Sequence, residues 1–128
     1  MLLCVTPNPA IDRTAVVPGL SLDQVNRASS VLVAAGGKGV DVARAAQTLG
    51  EAVLCAGFVG GQPGSLFTTL AEREGLLGQW TPIAGDTRSC MILIDPVQSQ
   101  NTVINERGPT VSRDDWDRLV TTVLEHAS

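Results

Sequence analysis

The chain contains one lysine, Lys38, and it stands inside Ala35-Gly36-Gly37-Lys38-Gly39, where three glycines bare the backbone around a single cation. A strand-like segment, Ser30 to Ala34, leads in, and a helical pattern, Val40 to Leu49, leads out. Glycine lets a backbone approach a ligand closely, and the first turn of a helix offers unpaired N–H groups at the positive end of its dipole. The combination suits a small anion, with Gly37 at the approach and Lys38 adding a full charge. It also suits a tight strand-to-helix turn whose lysine is simply solvated. Arg88, fifty residues further on, is a second cation at the start of a strand-like run. If the two converge, the arginine fork and the lysine point charge would together hold a phosphate.

Asp12 closes the segment Thr6-Pro7-Asn8-Pro9-Ala10-Ile11-Asp12, just past a first apolar strand. In an open α/β sheet, ligands bind at the carboxyl ends of the strands. A carboxylate there accepts hydrogen bonds from neighbouring hydroxyls, which is how a sugar is held, although a turn or cap aspartate has the same local sequence. Asp41, three residues after Lys38, sets a negative charge close to the same loop. The loop is not a Walker A motif, because Leu32 stands where the first glycine belongs and Gly39 where Ser or Thr would bind magnesium. Nor is it a dinucleotide fingerprint, since Val42 replaces the third glycine. No nucleophile has a base beside it: there is no tyrosine, the sole histidine is His126, and no serine lies in a nucleophile elbow. Binding groups are therefore present, and no catalytic residue is assigned.

The elements that must position these residues are bounded by composition. A chain of 128 residues buries one modest core. A net charge of −4 with no basic cluster argues against nucleic acid. No run approaches the ~20 apolar residues of a membrane span, and the apolar start Met1 to Val5 lacks the basic flank of a signal peptide. Cys4, Cys55 and Cys90 are odd in number, far apart and set in apolar stretches, as expected of reduced core thiols in the cytoplasm. They show no paired spacing, so no metal site is expected.

Apolar strand-like runs alternate with helical patterns. Strands are expected at Leu2 to Thr6, Ser30 to Ala34, Ala52 to Val59 and Trp80 to Ile83, with helices at 40–49 and 65–74. Through residue 75 this βαβα order predicts a parallel sheet covered by helices. Gly50 and Gly75 fall where helices end in a left-handed residue. A last helix opens near 113 with a capping box from Ser112 and Asp115, and Trp116, Leu119, Val120, Val123 and Leu124 form a stripe predicted to face the core. Stretches near 13–18, 88–95 and 101–106 have a different, antiparallel character and predict a small separate sheet, a candidate lid.

Thr6-x-Asn8-Pro9-x-x-Asp12, Asn26-Arg27, Gly36-Gly37-Lys38-Gly39-x-x-Val42-Ala43-Arg44, Leu49-Gly50, Gly57-Phe58-Val59-Gly60, Thr87-Arg88 and Asn105-Glu106-x-Gly108-Pro109, taken together, resemble the PfkB (ribokinase-like) carbohydrate kinases. The similarity is greatest to the branch of 1-phosphofructokinase and tagatose-6-phosphate kinase. It implies an α/β, ribokinase-like fold, a parallel sheet with flanking helices plus a small β-sheet lid. It implies ATP-dependent phosphorylation of a hexose phosphate such as fructose 1-phosphate or tagatose 6-phosphate, and a homo-oligomer formed through the lid. By the resemblance, Asp12 grips sugar hydroxyls, Gly37 and Lys38 touch the sugar and its existing phosphate, and Arg88 binds that phosphate from the lid. Asp41 stands where the family usually has asparagine, which brings substrate affinity and identity into question. The resemblance also implies ATP and magnesium, but the motifs that bind them and supply the base follow later in such kinases. Residues 1–128 accordingly read as the amino-terminal, substrate-binding part of a kinase domain. The alternatives are a catalytically inactive sugar-phosphate-binding or oligomerising module, and a sugar kinase of the ribokinase branch.

Overall fold

The computed structural model describes residues 1–127, in which ten elements follow one another along the chain. They are β1 (Leu2–Thr6), β2 (Ala10–Val16), β3 (Ser30–Gly36), α1 (Lys38–Thr48), β4 (Val53–Val59), α2 (Gly61–Arg73), β5 (Gly78–Pro82), β6 (Arg88–Asp95), β7 (Gln100–Asn105) and α3 (Arg113–His126). The strands form two sheets. The first is parallel, in the order β1-β4-β5, with Cys4 opposite Cys55 and Cys55 opposite Gly78.

The alternation of β4 explains why helices cover both faces of this sheet. Val53, Cys55 and Val59 point to a core shared with Cys4 of β1, Val40 and Ala43 of α1, and Phe67 and Ala71 of α2. Ala56 and Phe58 point the other way and meet Leu119 of α3. Each side carries an edge-to-face aromatic pair, which such packing favours: Phe67 with Trp80 at 4.9 Å and Phe58 with Trp116 at 5.0 Å. The expected parallel sheet flanked by helices is thus observed. Gly50 (φ 92°) and Gly75 (φ 73°) end α1 and α2 in the left-handed region. Ser112 and Asp115 exchange the two hydrogen bonds of a capping box at α3.

Three expectations are corrected. Ser30 to Ala34 does not join the parallel sheet: β3 lies at the edge of the second sheet, ordered β3-β2-β6-β7, and leaves Val31 and Leu32 exposed. That sheet is not wholly antiparallel either, because β2 pairs with β6 in parallel while β2–β3 and β6–β7 are antiparallel. The stripe on α3 is also only partly covered. Leu119 is buried, but Trp116, Val120 and Leu124 are 42%, 50% and 69% exposed. The three cysteines are free and buried, and among the described residues no helix is long and apolar enough to cross a membrane.

Candidate functional site

The second sheet stands on the first at a crossing made by the chain leaving β1 and by the turn from β3 into α1. At its foot, Ala10 of β2 is opposite Gly36 on one side and Arg88 on the other. One step up, Asp12 is opposite Ala34 and Cys90. Side chains alternate across a sheet, so Asp12 shares a face with Gly36 and Arg88. Its carboxylate lies directly over Gly36: a Cβ built there would be 2.0 Å from Asp12 Oδ2. Only glycine leaves that notch open. Burial pushes the Asp12 carboxyl above its ordinary range and the nearby Asp41 carboxylate adds to this, while the guanidinium groups of Arg88 and Arg44 oppose it.

The turn into α1 depends on Gly37, whose φ of 113° lies in the region open to glycine and where a Cβ would press on Thr6 at 2.6 Å. No side chain caps this helix. The first-turn N–H groups after Gly37 therefore lack a side-chain acceptor, and Lys38 is exposed beside them, with no hydrogen bond or ion pair among the described residues. Thr6 lies beneath the turn, 3% exposed, and its Oγ1 is buried without a partner against Gly39.

Arg88 is half-buried and tied to the crossing rather than free. Its Nε and Nη2 donate to the Asn8 carbonyl at 3.3 and 3.1 Å, and its Nη1 to the Glu106 carbonyl at 3.2 Å. Asn8 Nδ2 donates in turn to the Arg107 carbonyl, and the Ser89 N–H to Glu106 Oε1. Arg88 also borders a cleft of about 830 Å³ between Ala84–Thr87 and Glu106–Thr110, which Asp12, Gly37, Lys38 and Asp41 do not line. Asp12, Gly36 and Arg88 are thus brought together, with Gly37 and Lys38 on the adjoining turn.

Asp41 is not the lone charge that its sequence suggests. Arg44 Nη1 donates to Asp41 Oδ1 at 3.0 Å, while the same guanidinium makes a two-pronged contact with Glu74 at 2.6 and 3.0 Å and donates to the Ala35 carbonyl at 2.6 Å. Sequence reasoning assigned Arg44 no role. The i,i+3 spacing of Asp41 and Arg44 signalled their pairing, but the reach to Glu74 on another helix has no local signal. Among the described residues no group of three or more His, Cys, Asp or Glu is placed to hold a metal ion.

The family model described as "pfkB family carbohydrate kinase" matches residues 3–126. Among solved structures, a Staphylococcus aureus protein provisionally assigned as a phosphofructokinase is 30% identical, with a TM-score of 0.82 over 96% of this chain and 39% of that one. A Thermotoga maritima protein provisionally assigned as a 1-phosphofructokinase is 28% identical, with a TM-score of 0.90 over 98% of this chain and 42% of that one. Phosphofructokinase-2 from Escherichia coli, in complex with fructose-6-phosphate, is 22% identical with a TM-score of 0.93 over 99% of this chain and 42% of its own, a likeness of fold. The chain thus spans 39–42% of the length of these structures.

Proposed function

Because the chain belongs to the pfkB family of carbohydrate kinases, we propose that it forms the sugar-phosphate-binding region of a kinase acting on a hexose phosphate such as fructose 1-phosphate or tagatose 6-phosphate. The observation that carries this reading is the Asp12 carboxylate set over Gly36 at the foot of the second sheet, with Arg88 on the same face. A carboxylate accepts from sugar hydroxyls, while the open end of α1, Lys38 and Arg88 suit the phosphate the sugar already carries. In this reading the second sheet is the lid. Its exposed apolar side chains Val31, Leu32, Met91, Val103 and Ile104 support a role in meeting a second copy as well. Phosphoryl transfer from ATP, in the cytoplasm, would be the activity of the kinase of which this region is part.

Lys38→Ala and Arg88→Ala test the phosphate contacts. Each removes a charge-assisted contact worth about 1.5–3 kcal/mol, so each should raise the Kd for fructose 1-phosphate about tenfold or more. Unchanged affinity in both variants would refute the assignment.

A further inference from the structure

We propose that Arg44 is a positioning residue for this site: by holding Glu74, Asp41 and the Ala35 carbonyl at once, it fixes the turn over which Asp12 is set and engages the second carboxylate nearby. The consequence for binding rests on the sugar-phosphate reading above. The clamp itself does not.

Ala35 is the residue before Gly36, and its carbonyl belongs to the peptide that enters the Gly36-Gly37 turn. Arg44 Nη2 holds that oxygen at 2.6 Å from the middle of α1. Glu74 ends α2, so its paired contact with Nε and Nη2 anchors the guanidinium from a second helix. One planar fork therefore ties β3, α1 and α2 together directly beside the notch. The three N–H donors of a lysine all radiate from one nitrogen and cannot match contacts made from Nε, Nη1 and Nη2 across the guanidinium plane.

The electrostatic consequence follows from which charges face Asp12. They are Asp41 and Arg44 from α1 and Arg88 from β6, with Glu74 of α2 acting through Arg44; β3 contributes only Ala34 and Gly36 beside it, and Cys90 is its register partner on β6. Arg44 opposes the upward push that burial and Asp41 exert on the Asp12 carboxyl. Its removal withdraws that opposition and releases Asp41.

The test follows the Asp12 carboxyl through its ¹³C NMR shift against pH in the 128-residue chain, alongside fructose 1-phosphate affinity by calorimetry. In Arg44→Gln the Asp12 midpoint should rise and affinity should fall about tenfold, the size of one charge-assisted contact. Arg44→Lys should return the midpoint toward wild type without restoring affinity. Asp41→Asn combined with Arg44→Gln should do the same, because the Ala35 carbonyl stays unheld. A midpoint and affinity both unmoved in a folded Arg44→Gln protein overturn the proposal, as does full recovery of affinity in Arg44→Lys. If Arg44→Gln does not fold, Glu74→Gln, which loosens only the α2 anchor and leaves the Arg44 charge in place, should lower affinity in smaller degree without raising the Asp12 midpoint, and unmoved affinity in that variant overturns the proposal. A wild-type chain that binds no sugar phosphate, with the midpoint still rising in Arg44→Gln, refutes the functional reading and supports the clamp.

Discussion

Replacing Gly36 with alanine adds one methyl group at the point where the structure leaves no room for it. The new Cβ would lie 2.0 Å from Asp12 Oδ2, 2.4 Å from Cγ and 2.8 Å from Oδ1. All three nearest atoms belong to one side chain, so the carboxylate has to leave its notch. Gly36 has no positive φ, which makes the penalty steric rather than conformational. Overpacking of this kind costs about 1–3 kcal/mol. With Asp12 shortened to alanine the obstructing atoms are gone. The added methyl should then be neutral or stabilise by about 0.4–1 kcal/mol, through the less flexible unfolded chain. Urea unfolding of the wild type, the two single variants and the double variant gives a coupling energy, expected at about 1–3 kcal/mol. The same displacement should weaken fructose 1-phosphate binding in Gly36→Ala. An equal cost of Gly36→Ala with and without Asp12 would show that the carboxylate does not occupy the notch.

Asp95, at the far end of the second sheet, is 2% exposed and enclosed by its own turn, accepting from the N–H groups of Gly19, Leu20, Val97 and Gln98 and from Gln98 Nε2. Burial pushes its carboxyl up, but these hydrogen bonds outweigh it and hold the pKa below the usual range. A lowered folded pKa means stability present above about pH 4 and lost as pH falls through the folded value, so amide protection of Gly19 and Val97 should drop toward pH 3. In Asp95→Asn that protection should be low throughout and insensitive to pH. Asp12 has the opposite sign: its raised carboxyl makes the ionised form a burden on the fold above the raised pKa and no burden below the ordinary one. Asp12→Asn should therefore raise Tm at pH 7 but not at pH 3, while weakening sugar-phosphate binding.

Features set by neighbours in sequence were legible there. The capping box of α3 needs only Ser112 and Asp115, and the turn Asp95 to Asn101 joins β6 to β7 within a few residues. What failed was long-range pairing. The run Val31-Leu32-Val33-Ala34-Ala35 has the continuous apolar character of a buried parallel strand, yet it forms a sheet edge, because a strand's partner is not encoded in its own periodicity. The parallel pairing of β2 with β6 joins segments with β3, α1, β4, α2 and β5 between them, and nothing local announces it. On α3 the apolar spacing was read correctly, but spacing does not say how much of the stripe is covered. In the site, the residue types of Asp12, Lys38 and Arg88 suggested the chemistry. The notch at Gly36 and the Arg44 clamp came only from contacts across elements.

In the proposed reading, one site on this chain holds both a sugar and the phosphate attached to it. Calorimetric titration of the chain with fructose 1-phosphate, with fructose and with inorganic phosphate measures this directly. The sugar phosphate should bind about tenfold or more tightly than either part alone, and Asp12→Ala should remove that advantage while leaving inorganic phosphate binding intact. Fructose binding as tightly as fructose 1-phosphate, or an advantage that survives Asp12→Ala, would show that Asp12 and the phosphate-binding cations do not form one site.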